Sequence, residues 1–270
     1  MSDPVNPLSD EPAADGDQVV PLARGLDMLR CFHSGDTVLG NQDLALRTGL
    51  PNSTVSRLTY TLSLLGYLHY VEEIGKYRLG LAVFGMGNGC LNSLVARRVA
   101  MPLMEELARS VGDNGLVGLG GKVGRKMVYV AAARGGGAVS LRLDVGSQLS
   151  MARSAMGRAY LAGLPAAERL SLLQQVRHDY DPRLWPRIED GILRAVDEVR
   201  TQGFCLNVGE WVADVSSVGV PLPADPRGME PALAFSFGGP SYHLSRDWLK
   251  NEIGPRLVEM ARQVQSLRQK

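Results

Sequence analysis

Residues 39–66 read LGNQDLALRTGLPNSTVSRLTYTLSLLG, and this stretch decides the fold of the first part of the chain. Its pattern predicts two short helices. The first runs from Gln42 to Thr48, with Asn41 as its N-terminal cap, and the second runs from Pro51 to Leu65. A glycine follows each predicted helix and a proline opens the second, which is the usual distribution of these two residues. Two helices joined by so short a turn indicate a helix-turn-helix unit.

The second of these helices has two contrasting faces. Its apolar residues recur at helical spacing, and the stripe consists of Val55, Leu58, Leu62 and Leu65. We expect that stripe to pack against the preceding helices. The opposite face and the N-terminal end are polar, with Asn52, Ser53, Thr54, Ser56, Arg57 and Tyr60. Such hydroxyl, amide and guanidinium groups can bond phosphates or read base edges.

The charge pattern around this helix favours a nucleic acid as the partner. No acidic residue lies between Asp43 and Glu72, so no carboxylate on the helix would repel a phosphate. Two short strands, 67–71 and 76–79, are expected to form a hairpin after the helix. Candidate DNA contacts beyond the helix are Gln42, Arg47, Lys76 and Arg78. The pattern predicts a winged helix whose second helix enters the major groove. The alternative is a helical packing module with an exposed Ser/Thr face.

Length and composition set the wider frame. The chain has 270 residues, of which 45% are apolar and 21% charged, and its net charge is +1, so two ordinary domains are expected. No apolar run approaches the roughly 18 residues that a membrane span needs. Residues 1–18 are acidic and rich in proline, which predicts a disordered tail without a signal peptide and a cytoplasmic protein.

The rest of the chain mixes helical and strand patterns. Helices are predicted at 94–111, 154–162, 165–178, 185–202 and 241–267, and strands at 114–121, 126–133, 140–143, 204–208, 216–222 and 232–237. This order indicates an α+β domain with a mostly antiparallel sheet. The predicted organisation is a tail at 1–18, a DNA-binding domain at 19–80, a linker helix at 81–95 and a ligand-binding domain at 96–270.

The sequence carries no convincing catalytic or metal motif. The cluster Gly115–Lys122 lacks the Ser or Thr that must follow the lysine of a phosphate-binding loop. The four histidines and three cysteines share no metal-ligand spacing, and no Gly-x-Ser-x-Gly elbow is present. We therefore expect no enzyme activity, cofactor or metal. The competing hypothesis is an enzyme or ligand-binding protein whose N-terminal helices serve only for dimerisation.

Several motifs together resemble the IclR family of bacterial transcriptional regulators. They are LGNQDLALRTGLPNSTVSRL at 39–58, LGYL at 65–68, KYRLG at 76–80, MPLMEELA at 101–108, MGRAYLA at 156–162, VRTQGF at 199–204 and ALAFSFGGP at 232–240. The resemblance covers about residues 20–268. It implies an N-terminal winged helix-turn-helix, a linker helix and a C-terminal GAF/PAS-like effector-binding domain. It also implies a repressor or activator of a catabolic operon that forms a homodimer or a homotetramer on double-stranded DNA.

The resemblance also implies where a small organic or aromatic acid effector would bind. The positions that match the family's effector contacts are Ala155, Met156, Asn207, Val215, Ser217, Ser236 and Gly238. Three of them depart from the common pattern, because Asn207 replaces an Asp, Ser217 a Cys and Gly238 a Ser.

The residues themselves suggest an anion site at the start of the 154–162 helix, since a helix N-terminus offers free amides and a favourable dipole. Arg153 and Ser154 are candidate contacts there, and Met156, Trp211 and Phe235 are candidate apolar walls. This favours an aromatic or larger apolar acid over a two- or three-carbon acid. The alternative is that Arg153 is solvated and Ser154 only caps the helix.

Overall fold

The computed structural model describes residues 19–33, 35–112, 115–136 and 143–269. The chain divides into two compact units, Met1–Leu91 and Asn92–Lys270. The predicted tail lies outside the described residues, as do positions 140–142 of the strand predicted at 140–143. Within the described ranges, no helix is both long and apolar enough to cross a membrane.

The N-terminal unit has the predicted helices and hairpin. Its elements are α1 (Val20–Arg30), α2 (Asn41–Thr48), α3 (Asn52–Leu64), β1 (Leu68–Val71) and β2 (Lys76–Leu79). The two strands pair antiparallel, and an isolated bridge from Leu39 to Tyr77 adds a third segment to this wing. Helix α2 ends at Gly49, whose φ of 68° few other residues adopt. The cap of α2 differs from the prediction: Gly40 is the N-cap, and its amide donates to the Asp43 carboxylate over 2.9 Å.

The core of this unit is small and tightly closed. Met28, Leu44 and Val55 are fully buried. The buried stripe of α3 agrees only in part with the prediction. Leu65, which was expected to be buried, is exposed, and Thr59 is buried instead. Thr59 tolerates burial because its hydroxyl donates to the backbone oxygen of Val55 over 3.0 Å. On α1 the apolar residues Leu22 and Leu26 are exposed, whereas Gly25 and Met28 form its buried face.

Two helices follow the wing. Helix α4 (Leu81–Ser93) has no buried residue, although its sequence is mostly apolar and glycine. Helix α5 (Val95–Val111) begins after Leu94 and buries a stripe of alanine, leucine and methionine residues. The buried carboxylate of Glu230 accepts the backbone amide of Ala96 over 3.0 Å, which satisfies one free N–H group at the start of α5.

The C-terminal unit is built on one antiparallel sheet of six strands in the order β5-β4-β3-β8-β7-β6. The strands are β3 (Leu116–Val123), β4 (Lys126–Arg134), β5 (Gln148–Ser150), β6 (Cys205–Val208), β7 (Val215–Leu222) and β8 (Leu233–Pro240). The helices that cover it are α5, α6 (Ala155–Gly163), α7 (Ala166–Arg177), α8 (Trp185–Gln202), α9 (Arg246–Trp248) and α10 (Gly254–Leu267). Phe235 and Phe237 pack on the face shared with α5 and α10, while Ala234 packs on the face shared with α6.

A β-bulge in β4 places two residues that would otherwise share a face, Tyr129 and Ala131, on opposite faces of the sheet. Leu119 pairs with Ala131 and Gly120 pairs with Tyr129, so Val130 has no partner in β3. As a result Tyr129 packs on the α6 face, whereas Ala131 packs on the α5 face.

Two elements of the C-terminal unit differ from the sequence prediction. Strand β5 was not predicted, since three residues are too few for a periodic signal. The final helix begins at Arg246 rather than near 241, capped by the Ser245 hydroxyl, and its π-helical turn Leu249–Ile253 precedes Gly254. Pro255 follows directly, and a proline has no N–H to continue the regular α-helical ladder.

Candidate nucleic-acid interface and ligand site

The polar face of α3 is presented to solvent as predicted. Asn52, Ser53, Ser56, Arg57 and Tyr60 are exposed, and Thr54 is half-buried. Within the part of the chain that the structure describes, the Arg57 guanidinium has no hydrogen-bond or ion-pair partner. Its donors are therefore free for a ligand. The face thus combines free donors and hydroxyls with a complete absence of acidic side chains.

Asn41 holds this face in position, a role that the sequence reasoning missed. Its side-chain amide donates to the Ser56 hydroxyl over 3.2 Å, and its amide oxygen lies 3.5 Å from the Thr59 hydroxyl, which donates to Val55. Both contacts join α2 to α3. The sequence alone gives no signal for this role, because only the packing of α2 on α3 brings Asn41 to the hydroxyls of α3. Gln42, the next residue of α2, is exposed as a candidate contact should be.

Arg47 is occupied within the protein. Its guanidinium forms a bidentate ion pair with Asp36 and donates to the backbone oxygen of Cys31 over 2.6 Å. This pairing holds the pKa of the Asp36 carboxyl below its usual value. The side chain ties α2 to the segment after α1, which makes it a structural residue rather than a free DNA contact.

The wing offers less positive charge than the sequence suggested. Lys76 is half-buried, and its Nζ lies 3.9 Å from the Asp43 carboxylate. Arg78 is exposed and, among the described residues, has no side-chain partner. The turn between the strands carries the exposed acids Glu72 and Glu73. Arg78 is therefore the wing residue best placed to bond a phosphate.

The start of α6 is capped from within. The Ser154 hydroxyl accepts the Gly157 amide over 3.0 Å and donates to the backbone oxygen of Ser150 over 2.6 Å. Ala155 and Met156 follow and are buried. Ser154 therefore acts as the helix cap, which was the alternative interpretation of this residue.

The segment 209–214 is tied to the residue that precedes this cap. Exposed Arg153 donates through Nε and Nη2 to the backbone oxygen of Glu210, over 3.2 and 2.8 Å. Nδ2 of Asn207 donates a hydrogen bond to the backbone oxygen of Arg153 over 2.6 Å. Its Oδ1 accepts a hydrogen bond from the backbone amide of Trp211 over 3.2 Å. The structure thus brings together three predicted site residues, Arg153, Asn207 and Trp211.

The sheet supplies the floor beside them. Ser217 pairs with Gly238 and Gly219 pairs with Ser236 across β7 and β8, so both hydroxyls lie on the α6 face. The predicted residue Val215 lies two positions from Ser217 and shares its face. These are small side chains, and they let α6 pack closely on the sheet, since a β-carbon at Gly219 would lie 2.2 Å from the backbone oxygen of Ala155.

Tyr129 is a further residue of this face, and the sequence reasoning missed it. Its hydroxyl lies 3.3 Å from the Ser236 hydroxyl, and burial raises the pKa of the phenol, so the group stays neutral. The missing β-carbon of Gly118 makes room for the ring, since one there would lie 1.9 Å from it. The alternation of inward and outward side chains along β4 could have placed Tyr129 on this face. The bulge at Val130 breaks that alternation, so the face cannot be assigned from the sequence.

The sequence prediction for Phe235 is wrong. Phe235 is fully buried on the α5 face, because successive side chains of a strand point to opposite faces and its neighbour Ser236 faces α6. It cannot form a wall of a site on the α6 side. Met156 and Trp211 do pack on that side. No group of three or more His, Cys, Asp or Glu residues within the described ranges could hold a metal ion.

Comparisons with known proteins agree with this geometry. The helix-turn-helix model of IclR matches residues 21–72, and the model of the C-terminal domain of IclR regulators matches residues 89–266. The regulator TsaQ1/TsaQ2 of Comamonas testosteroni is 31% identical, over 91% of this chain and 87% of its own. The regulator XynR of Escherichia coli is 30% identical, over 74% of this chain and 79% of its own.

Solved structures show the same architecture. A regulator from Brucella abortus has 40% identity and a TM-score of 0.84, with 97% of each chain covered. An IclR homolog from Microbacterium hydrocarbonoxydans, complexed with 4-hydroxybenzoate, has 23% identity and a TM-score of 0.72, with 93% of this chain and all of that one covered.

Proposed function

The chain belongs to the IclR family of DNA-binding transcriptional regulators, which are not enzymes, and we propose that it controls a catabolic operon in response to a small organic acid. The observation that carries this proposal is the exposed, acid-free face of α3. We place the DNA-binding domain at residues 19–80, the linker helix at 81–95 and the effector-binding domain at 96–270. The division of the chain at Leu91 and Asn92, inside the proposed linker, supports these bounds.

In this proposal α3 reads the operator. Arg57 is the best candidate for a bidentate contact to a guanine, because its guanidinium is exposed and unpaired among the described residues. Arg78 would bond a phosphate and position the wing. Arg47 has no part in base reading here, since Asp36 and Cys31 already occupy its donors.

We propose that the protein binds a palindromic operator as a two-fold dimer. Helix α1 exposes Leu22 and Leu26, and α4 exposes Leu81, Phe84 and Met86, with Phe84 retaining 72% of its surface. Apolar surface of this extent is typical of a subunit interface. A second copy of this chain is the occupant that a two-fold operator requires, with half-sites about 34 Å apart or a multiple of that. Tetramer formation through the C-terminal domain stays a further proposal.

The α6 face of the sheet is the proposed effector site. Ser217 and Ser236 would donate to the carboxylate, while Tyr129, Met156 and Trp211 provide the apolar and aromatic surface that an aromatic acid needs. The complex of the Microbacterium protein with 4-hydroxybenzoate is one case of this fold with an aromatic acid. That protein shares the fold at 23% identity, so it supports the class of ligand and not its identity.

The DNA-binding half is tested by fluorescence anisotropy with a duplex from upstream of the neighbouring genes. Arg57→Ala should weaken binding to the operator by about 1–3 kcal/mol, roughly 5- to 150-fold, with little change for unrelated DNA. Arg78→Ala should weaken both kinds of DNA alike and reduce the salt dependence. Arg187→Ala, an exposed position on α8, is the control. Unchanged operator affinity in Arg57→Ala would refute α3 as the reading helix.

The effector is tested by calorimetric titration with benzoate, 4-hydroxybenzoate, pyruvate and glyoxylate. The proposal expects heat from an aromatic acid and loss of that heat in Ser217→Ala/Ser236→Ala, which removes two hydroxyls without filling the site. Tight binding of pyruvate or glyoxylate, with no response to the aromatic acids, would contradict the preference for an apolar ligand.

A further inference from the structure

A cleft distinct from the proposed effector face lies where α8, the edge strand β6 and the segment 209–214 meet. Its volume is about 380 Å³, the space of roughly a dozen water molecules in the liquid. Three arginines line it, Arg158, Arg194 and Arg246, together with Glu198 and Glu210. Strand β6 contributes Leu206 and Val208, which give one wall an apolar character. This combination differs from an ordinary solvated surface because one of the charges is buried.

Arg158 is that buried charge. Its side chain is 3% exposed, its Nε donates to the backbone oxygen of Ala152 over 2.9 Å, and its Nη1 donates to Glu210 over 2.8 Å. Nη2 has no hydrogen-bond partner among the described residues. It lies against α8 because position 191 is glycine: a β-carbon at Gly191 would be 2.4 Å from Nη2. Arg158 and Gly191 both line the cleft, so a nitrogen with free donors, part of a buried guanidinium, lies beside it.

The two carboxylates of the cleft are already engaged. Glu198 accepts the Leu206 amide of the edge strand over 2.9 Å. Glu210 accepts from Arg158 and lies 3.4 Å from Nη2 of Arg194. Arg246 is exposed and forms no ion pair in the described part of the chain. The cleft therefore has a surplus of guanidinium donors over carboxylate acceptors.

We propose that this cleft binds a small organic carboxylate, with its carboxylate held by Arg194 and Arg246 above the buried guanidinium of Arg158 and its apolar part against Leu206 and Val208. Guanidinium groups suit this ligand because their planar donors match the two oxygens of a carboxylate. The cleft is larger than a bare inorganic ion needs, and its apolar wall would be left without a partner by phosphate.

Binding here would act on the effector face through Glu210. The backbone oxygen of Glu210 accepts from Arg153 of the effector face, while its carboxylate belongs to the cleft. A carboxylate that engages Arg194 competes with Glu210 for that guanidinium. The cleft and the effector face are therefore expected to be coupled. This coupling rests on the proposed effector site, whereas binding in the cleft does not.

The test is calorimetric titration of the 270-residue chain with benzoate, butyrate and inorganic phosphate. Arg194→Gln/Arg246→Gln should weaken binding of a carboxylate in the cleft by about tenfold or more. The matched control Arg187→Gln/Arg262→Gln removes two exposed arginines outside the cleft and should leave affinity unchanged. Circular dichroism verifies that both variants are folded.

The outcomes separate this proposal from the proposed function. Two carboxylate sites in the wild type, of which the cleft variant loses one and Ser217→Ala/Ser236→Ala loses the other, would support a second site. Equal carboxylate affinities in the wild type and the cleft variant would overturn the proposal. It would also be overturned if no carboxylate bound at concentrations up to about 10 mM, because any site would then be weaker than millimolar. Preference for phosphate over both carboxylates would overturn the assigned ligand class. Operator binding is measured separately and depends on none of these results.

Discussion

Replacing Glu210 by Gln is expected to destabilise the C-terminal unit by about 2 kcal/mol. A buried ion pair that loses one partner typically costs roughly 3–5 kcal/mol, because a charge is left in a poorly solvated site. Arg158 fits that description with 3% side-chain exposure, but Glu210 is 34% exposed. Water and Gln itself can therefore replace part of the interaction, and we reduce the expected loss to about half.

The measurement is urea unfolding followed by tryptophan fluorescence. All three tryptophans, Trp185, Trp211 and Trp248, lie in the C-terminal unit, so the signal reports on that unit. The matched control is Glu189→Gln, which neutralises an exposed acid of α8 that has no ion pair among the described residues. The midpoint for Glu210→Gln should fall with an unchanged denaturant slope. A loss below about 0.5 kcal/mol, the usual range of surface substitutions, would refute the reasoning.

The pH dependence gives an independent check. Burial alone would raise the pKa of the Glu210 carboxyl, but Arg158 and Arg194 outweigh it and hold that pKa below its ordinary value. A carboxyl with a lowered pKa contributes stability that is present above its unfolded-state pKa and is lost as pH falls through its folded-state pKa. The wild type and Glu210→Gln should therefore differ at neutral pH and converge in acid. A constant difference down to acid pH would mean that the charge of Glu210 is not the cause.

Substitutions at three other positions test separate parts of the structure. Gly219→Ala should cost about 1–3 kcal/mol of stability by urea unfolding, because the new β-carbon would lie 2.2 Å from the backbone oxygen of Ala155; an unchanged midpoint would contradict the close packing of α6 on β7. Ser154→Ala should cost about 1 kcal/mol through loss of the α6 cap, whereas Ser154→Asn, also a capping residue, should recover part of it. Phe84→Glu should weaken the proposed dimer at least about tenfold in sedimentation equilibrium, because it would bury a charge in an apolar interface. If the variant forms a dimer of wild-type affinity, α4 is not part of that interface.

The helix-turn-helix could be predicted from sequence because local signals agree there. Proline, glycine and the acid-free polar face all point to the same element, and the structure has α3 at Asn52–Leu64. Its site residues were harder to predict individually. Arg47 reads as a free cation in the sequence, and only the fold shows that Asp36 is beside it. The exposure of Leu22 and Leu26 was equally hidden, since an apolar residue on a helix gives no sign of whether its partner is the same chain or another.

The proposed effector face was predictable by type of residue more than by position. Arg153, Asn207 and Trp211 do come together. Phe235 was misplaced because a fully buried strand has apolar residues on both faces, so its sequence contains no alternation from which to assign them. The cleft beside Arg158 had no sequence signal, since its residues come from five separate segments of the chain.

The bulge at Val130 has a consequence for how this sheet tolerates insertions and deletions. A single-residue deletion inside a regular strand exchanges the two faces for everything beyond it. Deleting Val130 would instead remove the unpaired residue and leave Tyr129 and Ala131 on the faces they already occupy. The loss would be the packing of the partly buried Val130 side chain and one hydrogen bond, from Arg97 Nε of α5 to the backbone oxygen of Val130 over 2.8 Å. Homologues whose β4 differs by one residue are therefore expected to differ at this position, where strand length can change while both cores are kept.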